Sequence, residues 1–107
     1  MTMLYSITLN YLHNQDELAH HTMGHKKWLA DNIVAGHIIF AGPRVDGTGG
    51  YILANYPDDD AVKTALADDP FVRYNLVSVE ADAIIAAIGA EPFARHWATE
   101  AVSLSVK

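Results

Sequence analysis

Cysteine is missing from the chain, so disulfides, thiolate nucleophiles and Cys-ligated zinc are excluded, and redox chemistry says nothing about the compartment. Basic residues are scarce: 7 Lys and Arg stand against 13 Asp and Glu, for a formal charge of −6, with no Lys/Arg cluster. Counter-ion release at phosphate backbones has nothing to act through, and nucleic acid is not an expected partner. No apolar run approaches the roughly 20 residues that span a bilayer, so no membrane partner is expected either. The first ten residues carry no basic region and pass straight into polar ones, unlike a signal peptide. A soluble, cytoplasmic protein is the expectation.

What is present suffices for one folded domain, residues 1–107, half apolar and 19% charged. A second core would have too little chain. Met3, Tyr5, Ile7 and Leu9 alternate with Leu4, Ser6, Thr8 and Asn10, which predicts a first strand. Asn14 or Asp16 then offers an N-cap, and a helix is expected from there to Gly36. Its inward stripe reads Leu18, His21 or Thr22, His25, Trp28 with Leu29, and Asn32 with Ile33. Gly24 within it implies that another backbone packs closely there or that the helix is irregular before His25.

Residues 37–41 read as a buried strand ended by Ala41-Gly42-Pro43, and 51–56 as a third strand pairing with it in an antiparallel hairpin. Pro57 and Asp58 to Asp60 open a second helix, which Asp68-Asp69-Pro70 ends. Leu76 to Ala81 alternate as a fourth strand, with a start as early as Arg73 and an end beyond Asp82 within its range. Residues 83–88 fit a strand continuation or a short helix, Gly89 ends either one, and 91–98 form a helix with Pro92 in its first turn.

Strand, helix, strand, strand, helix, strand is the split βαβ order of ferredoxin-like α+β folds: a four-stranded antiparallel sheet with both helices on one face. The other face, expected to carry apolar side chains from strands one to three, would be an association surface. A homodimer with sheets face to face is therefore expected, the C-terminal helical segment adding to the contact.

The helical His25 with Trp28-Leu29, the Ala41-Gly42-Pro43 strand end, the Gly49-Gly50 loop and Asp69-Pro70-Phe71, in that order, resemble the YciI-like (YCII-related) family. The resemblance covers a core of about residues 3–82, leaving an extension of about 83–107. It implies a dimeric α+β barrel and a site built from the helix histidine and the aspartate of Asp-Pro-Phe, here His25 and Asp69. Many relatives place an Arg just before the histidine. Here His21 and Thr22 occupy that zone, so an anion-binding role is absent or passes to His20, His21 or Arg44.

Imidazole exchanges protons near neutral pH, and a carboxylate beside it orients one ring nitrogen. His25 and Asp69 are thus the catalytic candidates for general acid/base proton transfer, of the lyase or isomerase type that the resemblance suggests. His21, Trp28, Phe40, Arg44 and Phe71 are the candidates for substrate contact. The blander alternatives are a buried structural histidine and an Asp that merely turns the chain before Pro70. If His25 is functional, its replacement by Ala should abolish turnover and barely change stability.

His21 and His25 have metal-ligand spacing, yet no zincin Glu lies between them, and no metal is expected. No organic cofactor is implied, since Gly47-x-Gly-Gly lacks the strand-to-helix setting of a phosphate loop. The partners expected are a second copy and a small molecule. A non-catalytic ligand-binding or accessory module on the same dimeric fold is the alternative function.

Overall fold

The computed structural model describes residues 3–107; Met1 and Thr2, the start of the run read above for targeting signals, lie outside the described residues. Strand β1 (Met3–Tyr11) is central, pairing antiparallel with β3 (Gly49–Ala54) on one side and β4 (Val77–Ile85) on the other. The hairpin partner β2 (Ile38–Pro43) lies outside β3, giving the sheet order β2-β3-β1-β4. This is the ferredoxin-like α+β arrangement that the element order predicts. The period-two pattern of β1 sends Tyr5, Ile7 and Leu9 into the core, where each aliphatic side chain stabilises by about 1.5–3 kcal/mol.

The first helix departs from expectation. It is two pieces, α1 (Gln15–Ala19) and α2 (Thr22–Val34), broken at His20 and His21. Asn14 caps α1 by accepting from the Glu17 amide at 3.0 Å. Thr22 bonds back to the Leu18 carbonyl, and the His21 ring stacks on Tyr74 at 4.4 Å, contacts that hold the bent chain. Gly24 is explained as well: a Cβ there would come within 3.0 Å of the Pro70 ring, so a proline side chain packs where a backbone was one expectation. Ile33, read as part of the inward stripe, is exposed.

Residues 37–41 do not form a buried strand. β2 is a sheet edge, Ile38 is its buried residue, and Phe40 is 52% exposed. Because its outer side has no partner among the described residues, Pro43 belongs to the strand instead of stopping it. At Gly49 a Cβ would fall 1.8 Å from the Leu9 carbonyl oxygen, so only glycine lets β3 approach β1 there.

Helix α3 (Asp59–Ala67) starts at Asp58, which accepts from the Ala61 amide at 2.8 Å. It buries Val62 and Leu66 against the same core as Trp28 and the inward residues of β1. A single turn follows, α4 (Pro70–Arg73), capped by Asp69. Arg73 therefore ends a helix and does not begin β4; Asn75, at φ 57, turns the chain between them.

The open face of the sheet is more polar than expected, because β1 sends Ser6, Thr8 and Asn10 there. Ser6 Oγ and Tyr51 Oη share a 2.8 Å hydrogen bond. Apolar groups on that face come from Phe40, Leu53 and Ile84. Beyond β4 the chain forms β5 (Ile88–Ala90), α5 (Glu91–Trp97) and β6 (Val102–Leu104), with β5 and β6 parallel. Gly89 thus lies inside a strand and ends nothing, since its neighbours pair with the returning β6. The radius of gyration, 14.8 Å, exceeds the roughly 13 Å of a compact domain this long, so this appended unit lengthens the molecule.

Candidate active site

Two local decisions create the site. Helix α2 turns His25 inward, and the Asp-Pro sequence ends α3 so that Asp69 becomes the cap of α4. The packing of Pro70 on Gly24 brings these elements together. His25 Nδ1 lies 2.8 Å from Asp69 Oδ1, and the same oxygen accepts from the Phe71 amide at 3.2 Å. Asp69 is 0% exposed, the buried polar residue of the core. Both readings of Asp69 therefore hold geometrically, since one carboxylate oxygen caps the turn and meets the imidazole.

A carboxylate can only accept, so Nδ1 carries the hydrogen and Nε2 is the ring nitrogen with a free lone pair. Asp69 Oδ2 has no hydrogen-bond partner among the described residues. A buried charge so thinly satisfied depends on His25. Alanine at position 25 would leave the Phe71 amide as its hydrogen-bond donor among the described residues, so a cost in stability beside the loss of function is expected. Phe71 stacks on the imidazole at 4.0 Å with ring planes 7° apart, and Trp28 lies at 6.3 Å. Ring stacking and the carboxylate together restrict rotation of the imidazole.

The His25 side chain, 15% exposed, forms part of the wall of a cavity of about 370 Å³. Leu9 and Ile52 come from the sheet, Leu18 and Gln15 from α1, Thr22, Lys26 and Leu29 from α2, and Phe71 from α4. The break at His20 is what allows α1 to contribute to this wall. Of the residues named from sequence, His25, Asp69 and Phe71 are brought together here. Trp28 is buried behind them, its indole Nε1 donating to the Ala65 carbonyl at 3.0 Å. Phe40 lies on the open sheet face, because β2 pairs at the edge with that side outward.

Arg44 is held in the hairpin loop: it donates to Asn10 Oδ1 at 2.7 Å and to Thr48 Oγ1. Beside it, hydrogen bonds from the Thr48 hydroxyl and amide hold the Asp46 carboxyl below its ordinary range. His21 faces Tyr74. Sequence reasoning missed Gln15 and Lys26 as cavity residues. Gln15 lies about one turn before Leu18, and Lys26 directly follows His25 on the side that falls away from the inward stripe.

A second cavity, of about 500 Å³, lies between α3 and β4, where Tyr5 donates to Asp59 Oδ1 at 3.0 Å. Burial and that carboxylate push the Tyr5 phenol up. Among the described residues, no three His, Asp or Glu side chains gather as a metal-binding group, and no helix is long and apolar enough to cross a membrane.

The fold and the His–Asp pair thus define a ferredoxin-like α+β domain with a polar pair beside a partly open cavity. The chain belongs to the YCII-related domain family, which matches residues 3–88. The match ends where the appended β5-α5-β6 unit begins. Among solved structures, it is similar to 5-chloro-2-hydroxyhydroquinone dehydrochlorinase (TftG) from Burkholderia phenoliruptrix AC1100, in complex with 2,5-dihydroxybenzoquinone. The two share 18% identity at a TM-score of 0.64, over 74% of this chain and 90% of the other. At that identity the likeness concerns the fold. No curated protein matches the chain.

Proposed function

We propose that this protein is a small-molecule enzyme in which His25, oriented by Asp69, transfers a proton in an elimination or isomerisation reaction. The observation that carries this reading is the 2.8 Å contact between His25 Nδ1 and the fully buried Asp69, with the imidazole on a cavity wall. Nε2 takes a proton from a carbon or oxygen acid of the substrate. The electron pair released forms a new double bond, and in an elimination the group on the adjacent atom departs with its bonding pair. The imidazolium, stabilised by the Asp69 carboxylate, then gives its proton to the departing group or to water. In an isomerisation the proton returns to a different atom of the same substrate.

Family membership and the elimination named for the structural relative support this choice of reaction type. The working unit is proposed to be a homodimer, with the open sheet faces in contact. The test is chloride release from 5-chloro-2-hydroxyhydroquinone, together with deuterium exchange into related acidic phenols. His25→Asn is the informative variant, because its amide can still donate to Asp69 while the Nε2 base is gone. Turnover should fall by about a hundredfold or more, the usual share of a general base. Asp69→Asn should also lower it by stabilising the wrong imidazole tautomer. Activity unchanged in His25→Asn would remove the proposed base. Binding without turnover in the wild type would favour the ligand-binding module.

A further inference from the structure

We propose that Lys26 is the anion-binding residue of the His25 cavity, and that the molecule bound there is a small planar acid held through a deprotonated oxygen. That oxygen belongs to a carboxylate or to an acidic phenol or enol. The inference rests on the acid/base reading of His25 for the chemistry, and on separate geometry for the anion.

Lys26 lines the same cavity as His25, and among the described residues it is the one lining residue with a fixed positive charge, with no Asp or Glu on that lining. It has no hydrogen bond or ion pair among the described residues, whereas its neighbour Lys27 is tied to Asp31 at 2.8 Å. None of the basic groups that sequence offered for the role, His20, His21 and Arg44, lines the cavity, and two of them are engaged elsewhere, His21 on Tyr74 and Arg44 on Asn10. Consecutive helical residues project about 100° apart, so His25 reaches the cavity from its inner wall and Lys26 from its exposed rim.

Charge balance gives Lys26 a purpose. With neutral imidazole, the His25–Asp69 pair places one buried negative charge behind the cavity, in a chain of formal charge −6. A bound anion is repelled unless a cation offsets it, and Lys26 is the cation in reach. Removing a further proton moves that proton to His25 and leaves the bound molecule with one more negative charge, which the same ammonium group stabilises. The remaining walls, among them Leu9, Leu18, Ile52 and Phe71, are apolar and suit the faces of a ring. A lysine reads charge more than shape, so the anion's precise geometry is less constrained than an arginine fork would require.

The test is a nuclear magnetic resonance titration of the full chain with benzoate, with benzamide as its uncharged isostere, and with 4-nitrophenol below and above its ionisation. Benzoate should perturb the amides around His25 and Phe71 more strongly than benzamide. Lys26→Met should weaken benzoate about tenfold, the scale of one charge-assisted contact, and leave benzamide unchanged. Lys26→Arg should restore binding. Tighter binding of ionised 4-nitrophenol than of benzoate would assign the site to phenolates, and the reverse to carboxylates.

Equal benzoate affinity in the wild type and Lys26→Met overturns the proposal, as does wild-type protein that binds none of the probes. His25→Asn should still bind benzoate. Loss of turnover in His25→Asn alongside unchanged binding in Lys26→Met would therefore defeat this inference while leaving the acid/base reading intact.

Discussion

Asp69 Oδ1 accepts from both the Phe71 amide and the His25 ring, so the same atom that starts α4 also aims the imidazole. That economy predicts that position 25 should tolerate a donor such as Asn better than Ala in thermal unfolding, because the buried carboxylate keeps a partner. A second buried polar contact makes a pH prediction. Tyr56 donates to Asn32 Oδ1 at 2.8 Å, and burial pushes its phenol from 10.0 up to about 12. Between those values the unfolded chain has released the proton that the folded chain retains, so stability falls as pH rises through that window. Urea unfolding followed from pH 9 to 12 should show this decline, and Tyr56→Phe should make it shallower, leaving the part that the raised Tyr5 phenol contributes.

At the scale of elements, the contact that matters most for the site is α2 on α4. Gly24 permits it, with the Pro70 ring at 3.0 Å from where a Cβ would stand. Alanine there gains about 1 kcal/mol of helix propensity but pushes Pro70 away. The two effects oppose, so Gly24→Ala should change stability by no more than about 1 kcal/mol. The displacement carries Asp69 with α4 and lengthens its hydrogen bond to His25. The Nδ1 proton resonance of His25, shifted downfield by a carboxylate, should move upfield in Gly24→Ala. An unmoved resonance would show that α4 absorbs the extra methyl without shifting Asp69.

For the whole molecule, the open sheet face and the C-terminal unit leave many apolar side chains in water. Phe40, Ile84, Ile85, Ile88, Val102 and Leu104 are all exposed in the single chain. A two-stranded pair such as β5-β6 is marginal by itself, so a covering partner would stabilise it. Sedimentation at micromolar concentration should give twice the chain mass of 11.7 kDa. Phe40→Glu, which puts a charge in the proposed contact, should shift the protein toward monomer. A wild-type mass near that of one chain would contradict the dimer.

Strand alternation in residues 3–11, a helix start at Asn14 or Asp16, another over residues 57–60, the Gly36 helix end and the Pro70 turn were legible because each depends on neighbours in sequence, while the structure selects Asn14 and Asp58 as the caps. Those local preferences determine which segments become helix or strand and which faces are apolar. They made His25 a suspect, as a histidine on the inward stripe, while Asp69 was singled out by the family resemblance; the two lie 44 positions apart, and sequence carries no distance between them. Only tertiary structure decided that distance, through the close packing of Pro70 on Gly24. It likewise bent the helix at His20, moved residues 38–43 to a sheet edge, and put Lys26 on the cavity in place of Arg44. Periodicity selects a face of an element, whereas a cavity forms where faces of several elements fail to close, and that depends on how they dock.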